Sequence, residues 1–169
     1  GTMYAVIKLD IDKVDSLCRS IGYKNAAIAN YNSYNQIVVS VKHECANSFS
    51  NRIKEQGGIA IRLNVNRPYH HMLMKPAADE YLRVLQHSKF DIPNCTIYSN
   101  VSGESVTNNF PQKLYKQIYK PVLWIDIIEK MLNSGIRTFY EISPKSVLQS
   151  FVVDIANGQA NVVDLSMVL

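Results

Sequence analysis

AIANYNSYNQIVVSV, residues 27–41, consists of two apolar runs on either side of a short polar segment. Residues 27–31 and 36–41 are rich in the β-branched and aromatic side chains that favour strands. The Asn-Ser-Tyr-Asn segment between them consists mainly of residues that favour turns. This stretch therefore predicts a β-hairpin.

A strand and a helix flank the predicted hairpin on each side. Before it, residues 4–9 predict a strand, and residues 11–21 repeat apolar side chains at helical spacing behind Asp10. After it, residues 42–56 predict a helix that Gly57 and Gly58 end, and residues 59–63 predict a further strand. The order β-α-β-β-α-β is the ferredoxin-like split βαβ pattern, which we assign to a subdomain of residues 1–63.

Residues 64–169 alternate between helical and strand patterns, as in an α/β layer architecture. Predicted helices cover residues 72–87, 110–119, 122–134 and 146–157, and predicted strands cover residues 96–99, 138–141 and 161–165. Pro76 must lie in or near the first turn of its helix, because proline lacks the N–H that a helix interior needs. We therefore expect a fold that is α+β in residues 1–63 and α/β in residues 64–169.

Composition narrows the class of protein. The chain has 169 residues and is 47% hydrophobic, enough to bury a sizeable core. It contains no apolar run of the roughly 18 residues that a transmembrane helix needs, so we expect no membrane association. A net charge of +4 without a Lys/Arg run does not predict nucleic-acid binding. Three scattered cysteines without a C-x-x-C pair favour a reducing, cytoplasmic location.

A histidine follows a proline and an aromatic residue in the segment VNRPYHHMLM, residues 65–74. This turn lies between a predicted strand and a long predicted helix, where an imidazole is both rigid and reachable. Such a histidine suits general-base chemistry, because its ordinary pKa is near neutral pH. On residue patterns alone, a single histidine is more often structural than catalytic. The four histidines also lack the spacing of a metal site, so we predict no metal.

Five ordered segments resemble those of one enzyme family. They are the hairpin Asn30–Ser40, similar to N-x-N-S-P-x-Q-x-V; the histidine turn and helix, Pro68–Ala77; the N-V turn at Asn100-Val101; Gln117–Trp124, similar to Q-x-x-x-P-V-x-W; and Glu141–Leu148, similar to E-x-G-P-x-x-x-L. Together they resemble the malonyl-CoA:acyl carrier protein transacylase family, which includes the acyltransferase domains of polyketide synthases. Tyr34 stands in place of a usual proline, and Val41 and Ser143 in place of usual glycines, so the backbone at these turns is expected to differ.

The resemblance implies a ferredoxin-like subdomain inserted into an α/β-hydrolase-like acyltransferase subdomain, with the active site between them. The family's G-H-S-x-G serine segment and the arginine that pairs with the malonyl carboxylate precede the ferredoxin-like part, and no G-x-S-x-G occurs in this sequence. The chain is then either the C-terminal part of a longer acyltransferase, which we favour, or a chain whose nucleophile lies on a separate chain. In both cases we expect it to be inactive by itself. The implied partners are malonyl-CoA and an acyl carrier protein. No cofactor is implied, because the CoA thioester and phosphopantetheine are substrates.

The resemblance also assigns roles to individual residues. His70 is the implied general base, oriented by the backbone carbonyl of Gln117, and Asn100 is the implied support by hydrogen bonding. Tyr69 occupies a position that touches the α-substituent of the acyl unit, where bulk favours malonyl, although the ring has a simple packing role as its alternative. Arg67 is unusual at its position and either meets a carboxylate or phosphate or is solvated at the rim.

Two other functions stay open at this stage. An acyl hydrolase of the same fold would use water in place of the carrier thiol. A binding module that keeps the acyltransferase shape would need no chemistry at all. The arginine that precedes this part of the family's sequence would distinguish the hydrolase from the malonyl transferase. An arginine there would favour malonyl, whereas an uncharged replacement would favour hydrolysis of neutral acyl groups.

Overall fold

A computed structural model describes residues 1–165 of the chain. The first half contains four strands and two helices: β1 Thr2–Ile7, α1 Ile11–Ile21, β2 Ala26–Ser33, β3 Gln36–Val41, α2 Ala46–Glu55 and β4 Ile59–Arg62. The strands form an antiparallel sheet in the order β2-β3-β1-β4. The predicted hairpin is present, but β2 extends to Ser33 through two register shifts, so the turn is shorter than the sequence predicts.

Local sequence signals explain where α1 begins and ends. The Asp10 carboxylate accepts a hydrogen bond of 2.8 Å from the Lys13 N–H, which satisfies one of the free donors at the helix start. Gly22 follows the helix with φ of 91°, a conformation that suits glycine. The helix therefore covers the predicted residues 11–21.

The sheet of the first half is covered on both faces. On one face, side chains of β1, β2 and β3 pack with α1 and α2 around Val14, Phe49 and Ile53. On the other face, Met3, Ala5, Ala29 and Val38 pack against the segment that leads to the histidine turn. The segment that leads to the histidine turn therefore lies directly against this second face of the sheet.

The second half contains the remaining elements: α3 Lys75–Gln86, β5 Ile97–Tyr98, β6 Ser105–Val106, α4 Phe110–Gln117, α5 Trp124–Asn133, β7 Thr138–Glu141, α6 Leu148–Ala156 and β8 Asn161–Asp164. β5 and β6 form a small antiparallel pair, and β7 and β8 form a parallel pair connected through α6. Pro76 lies in the first turn of α3, as predicted. The mixed α/β class predicted from the sequence is confirmed by this arrangement.

Short 3₁₀ turns replace the first residues of two predicted helices. Residues 43–45 precede α2, and residues 72–74 precede α3. β5 lies within the strand predicted over residues 96–99, whereas β6 was not predicted, because Val106 is a single apolar residue among polar ones. The strand predicted over residues 161–165 ends at Asp164, and residues 166–169 lie outside the described part of the chain.

The two halves are joined along β2. The Tyr31 N–H donates to the Val122 carbonyl at 3.0 Å, and the Val122 N–H donates to the Ala29 carbonyl at 2.8 Å. Tyr31 and Ile11 contact both the core of the first half and a second core formed by α5, α6 and β8. This junction brings the segment after α4 beside the sheet of the first half.

The tip of the hairpin is also held by the second half. The Tyr34 hydroxyl hydrogen-bonds the Glu129 carboxylate, and the Asn35 side-chain amide donates to Asp154 at 2.6 Å. The contact with Glu129 and burial together raise the pKa of Tyr34 to about 12. Tyr34, which stands where the family has proline, thus connects the hairpin to α5.

No helix among residues 1–165 has both the length and the apolar character needed to cross a bilayer.

Candidate active site

The histidine turn is anchored by β3. The Ser40 hydroxyl donates a hydrogen bond of 2.5 Å to the Tyr69 carbonyl, and Ser40 is fully buried. Pro68 is also buried, so the chain enters the turn along a fixed path. His70 follows with φ of 58°, a left-handed conformation that is uncommon outside glycine and asparagine. The fold therefore holds His70 in a conformation that local preference alone would not select.

His70 contacts two backbone carbonyls at the C-terminal end of α4. Its backbone N–H donates to the Ile118 carbonyl at 3.2 Å, and its Nδ1 lies 2.8 Å from the Gln117 carbonyl oxygen. These are carbonyls of the kind that a helix leaves without an intrahelical partner at its end. Because a carbonyl oxygen only accepts hydrogen bonds, Nδ1 carries the hydrogen and Nε2 keeps its lone pair. The contact between His70 and Gln117 that the family resemblance implies is present in the structure.

His71 has a different environment from its neighbour. It is 2% exposed, its Nε2–H donates to the Tyr23 carbonyl at 2.9 Å, and its Nδ1 accepts from the Leu73 N–H at 3.1 Å. Burial lowers the pKa of His71, the Tyr23 carbonyl opposes this in part, and the charge of Lys42 lowers it further. Both nitrogens of the neutral ring are thus occupied, which makes His71 a structural residue.

A cavity of about 210 Å³ lies beside the two histidines. The first half of the chain contributes Asp15, Tyr23 and Tyr31 to its wall, and the second half contributes His70, Tyr119 and Lys120. The wall thus contains the acidic side chain of Asp15 and the basic ones of His70 and Lys120 beside three tyrosine rings. The junction along β2 therefore creates a cleft with an oriented imidazole in its wall.

Asn100 is connected to the site through its backbone. Its carbonyl accepts a hydrogen bond of 2.8 Å from the Leu123 N–H, in the turn that follows β5. Within residues 1–165, the Asn100 side chain forms no hydrogen bond with His70. The structure therefore links Asn100 to the segment between α4 and α5, and its predicted support of His70 stays a prediction.

Tyr69 and Arg67 lie at the outer side of the turn. The Tyr69 side chain is on the surface, with 43% of the residue exposed. Arg67 is exposed as well, and its Nη1 donates to the Asn66 carbonyl at 2.9 Å. Arg67 is in no ion pair with an acidic side chain of the described residues, so its guanidinium has donors available for an anion.

The residues that could bind a metal are scattered. Within residues 1–165, no three His, Cys, Asp or Glu side chains form a group that could hold an ion. Cys18, Cys45 and Cys95 are all free thiols, and burial is the main cause that raises the pKa of Cys18 to about 12. His43 and His87 are exposed on the surface.

Sequence reasoning missed the role of Ser40. It is the only hydroxyl residue in the otherwise apolar run of β3, Ile37–Val41. A lone hydroxyl in a fully buried strand needs a hydrogen-bond partner, so this position could have been recognised as an anchor. The partner itself, a backbone carbonyl 29 positions later in the chain, leaves no signal in the sequence.

Comparison with known proteins identifies relatives that are similar to this chain in sequence. No family model matches the chain. The malonyl CoA-acyl carrier protein transacylase of Bacillus subtilis is 32% identical over 157 residues, which cover 90% of this chain and 50% of that protein.

Solved structures of malonyl transacylases are similar to this chain in fold as well. The malonyl CoA-acyl carrier protein transacylase of Clostridium perfringens has a TM-score of 0.91 and 37% identity, over 98% of this chain and 53% of that one. A malonyl-transacylase in complex with its type II polyketide acyl-carrier protein has a TM-score of 0.92 and 28% identity, over 98% of this chain and 54% of that one. The chain spans about half the length of the curated relatives it matches. Nearly the whole chain is therefore similar in sequence and fold to about half of a malonyl CoA-acyl carrier protein transacylase, which confirms the family resemblance predicted from the sequence.

Proposed function

We propose that this chain supplies the general base of an acyltransferase that moves a malonyl group from CoA to the phosphopantetheine thiol of an acyl carrier protein. The observation that supports this most directly is the contact of 2.8 Å between His70 Nδ1 and the Gln117 carbonyl oxygen. It leaves Nε2 as the basic nitrogen of a residue that lines the cleft. The similarity to malonyl CoA-acyl carrier protein transacylases supports the choice of reaction and substrates.

In the proposed reaction, a serine ester carries the malonyl group between the two thiols. His70 Nε2 takes the proton from the serine hydroxyl as the oxygen attacks the thioester carbonyl of malonyl-CoA. The tetrahedral intermediate collapses, the C–S bond breaks, and the imidazolium gives its proton to the CoA thiolate. In the second half-reaction, Nε2 takes the proton from the phosphopantetheine thiol, and the thiolate attacks the ester carbonyl. The tetrahedral intermediate then collapses, the C–O bond to serine breaks, and the imidazolium gives its proton to the serine oxygen. No cofactor takes part in this scheme.

The environment of His70 suits this cycle. The partner of Nδ1 is a neutral carbonyl at the end of α4, not a carboxylate. A carbonyl fixes the tautomer, and the C-terminal end of a helix interacts favourably with a nearby positive charge. The imidazolium that forms in each half-reaction is therefore stabilised by the chain that also orients the neutral ring.

We propose that residues outside this chain supply the nucleophilic serine and the arginine for the malonyl carboxylate. The sequence contains no G-x-S-x-G segment. Large apolar side chains in and directly after β7 are also uncovered: Tyr140 is 64% exposed, and Ile142, the residue that follows the strand, is 68% exposed. Parallel sheets are ordinarily covered on both faces, so this surface fits further protein that packs against it.

The domain assignment follows the same proposal. Residues 1–63 would form the ferredoxin-like subdomain, which the antiparallel strand order β2-β3-β1-β4 supports. Residues 64–169 would form the C-terminal part of the α/β-hydrolase-like subdomain, which the parallel pair β7 and β8 supports. The active site would then lie in the cleft between them. Tyr69 would exclude branched acyl groups at its mouth, and Arg67 would meet an anionic part of the substrate.

The test is acyl-enzyme formation, followed by intact mass after malonyl-CoA is added. The full protein that contains these residues together with a nucleophilic serine is compared with its His70→Ala and Gln117→Ala variants. His70→Ala should slow acylation by about 10²–10⁴-fold, the usual contribution of a general base. Gln117→Ala should acylate at nearly the original rate, because alanine keeps the carbonyl that His70 contacts.

Three outcomes would contradict the proposal. Undiminished acylation in His70→Ala would remove the base from this residue. Acylation of the present chain by itself would place a nucleophile within it. Release of free malonate in place of transfer to an added acyl carrier protein would identify a hydrolase.

A further inference from the structure

A network of charged and aromatic side chains joins α3 to α4 next to the histidine turn. Lys75 Nζ donates to both oxygens of Asp79, at 2.8 and 3.1 Å, and to the Tyr115 hydroxyl at 2.9 Å. The Tyr115 hydroxyl in turn donates to Asp79 Oδ1 at 2.7 Å. Each of the three side chains thus contacts the other two.

Aromatic contacts add to this network. Lys75 Nζ lies 5.5 Å from the centre of the Tyr115 ring and 5.9 Å from that of Tyr119. The two tyrosine rings pack edge to face with their centres 5.2 Å apart. An ammonium group near aromatic faces is stabilised by their electron density. Tyr119 also lines the cleft that contains His70, so the network extends to the wall of the candidate site.

The positions of these residues along the chain give the network its significance. Lys75 begins α3, five residues after His70, and Tyr115 lies on α4, two residues before Gln117. The two segments that the network joins are therefore those that carry the imidazole and its carbonyl partner. A shift of α4 relative to α3 would lengthen the contact between His70 Nδ1 and the Gln117 oxygen.

We propose that Lys75, Asp79 and Tyr115 are positioning residues that set the His70–Gln117 geometry and so select the tautomer of His70. They act through α3 and α4 and do not touch the imidazole. The catalytic consequence rests on the proposed role of His70 as general base, whereas the effect on the tautomer does not. The inference is therefore measurable without substrate.

The experiment is a histidine ¹H–¹⁵N correlation spectrum of the chain, recorded at alkaline pH where imidazoles are neutral. His70 is assigned by its absence in His70→Gln. In the unsubstituted chain, the Nδ1–H form of His70 should predominate. Tyr115→Phe and Lys75→Gln should each shift the ratio of tautomers toward Nε2–H by about threefold or more, as loss of a hydrogen bond in the network permits. Lys75→Arg, which keeps the cation, should retain most of the original ratio.

Tyr34→Phe provides a matched control. The Tyr34 hydroxyl also hydrogen-bonds a carboxylate, that of Glu129, but Tyr34 lies at the tip of the hairpin and is not among the described residues that line the cleft. Removal of its hydroxyl should leave the His70 signals unchanged. Lys75 and Asp79 are on the surface, so Lys75→Gln tests the inference even if Tyr115→Phe disturbs folding.

Either of two results would overturn the inference. One is a His70 tautomer ratio that stays the same in both network variants. The other is an equal shift in Tyr34→Phe, which would show that the effect is not specific to the network. If His70→Ala proves harmless to acylation while the network variants shift the tautomer, the proposed function fails and the positioning role stands.

Discussion

Replacement of Ser40 by alanine tests how the fold holds the histidine turn. Ser40 is fully buried, and its hydroxyl donates to the Tyr69 carbonyl at 2.5 Å. Alanine leaves that carbonyl without its donor next to the buried strand β3. The cost of a buried acceptor without a partner is about 1–3 kcal/mol. For a chain of this size, a loss of about 2 kcal/mol lowers Tm by roughly 4–8 °C.

The measurement is urea unfolding at low protein concentration, followed by circular dichroism. Ser33→Ala is the matched control, because Ser33 lies in the same hairpin and is 2% exposed. Its hydroxyl oxygen accepts only a local hydrogen bond, from the Asn35 N–H at 3.2 Å. Ser33→Ala should therefore cost less than about 1 kcal/mol.

A second readout separates anchoring of the turn from general stability. Ser40→Ala should broaden or shift the His70 ring signals, because Tyr69 directly precedes the left-handed residue. If Ser40→Ala costs no more than Ser33→Ala and leaves the His70 signals in place, the hydroxyl does not anchor the turn and the reasoning is refuted.

Three further predictions use the same unfolding assay. Glu141→Gln should lower the free energy of unfolding by about 2–4 kcal/mol, because the carboxylate accepts from three backbone N–H groups of residues 147–149 at 2.7–3.0 Å. Burial raises the pKa of Glu141, but these donors hold it below its usual value. The contribution of Glu141 to stability is therefore lost as pH falls through the acidic range. A Glu141→Gln variant as stable as the parent at neutral pH would contradict this prediction. His71 has a lowered pKa, so the unfolded chain binds the proton first and stability should fall as pH drops below about 6.5. His71→Gln should flatten that slope, and an unchanged slope would show another group is responsible. Lys8 has φ of 67°, so Lys8→Gly should stabilise the chain by about 1 kcal/mol, whereas Lys24→Gly, at an ordinary φ, should give no gain.

The regular elements with strong local signals could be predicted from the sequence. α1 has a capping aspartate, a helical repeat of apolar residues and a glycine stop, and its bounds match the prediction. The strands of the hairpin were predictable because β-branched residues surround a polar turn. β6 and the 3₁₀ turns could not be predicted, because β6 has a single apolar residue among polar ones and a three-residue turn leaves no period to detect.

The candidate site was predictable only in part. The family motif at Pro68–Ala77 identifies His70, and no local property of the sequence distinguishes His70 from its neighbour His71. The structure separates them by contacts with Gln117 and Tyr23, which are 47 and 48 positions away along the chain. Periodicity also identifies an apolar face of α3 without showing what covers it, and Tyr81 and Val84 on this helix are exposed.

The partner of His70 Nδ1 is a main-chain oxygen, and this affects how the site can change by mutation. Every amino acid has that carbonyl, so no single substitution at position 117 deletes the acceptor. Selection on the residue type at this position therefore acts on helix formation and packing, not on the hydrogen bond itself. An alanine scan would pass over the group that orients the base. An insertion or deletion between α4 and Pro121, or a backbone ester that weakens the acceptor, would test this carbonyl directly.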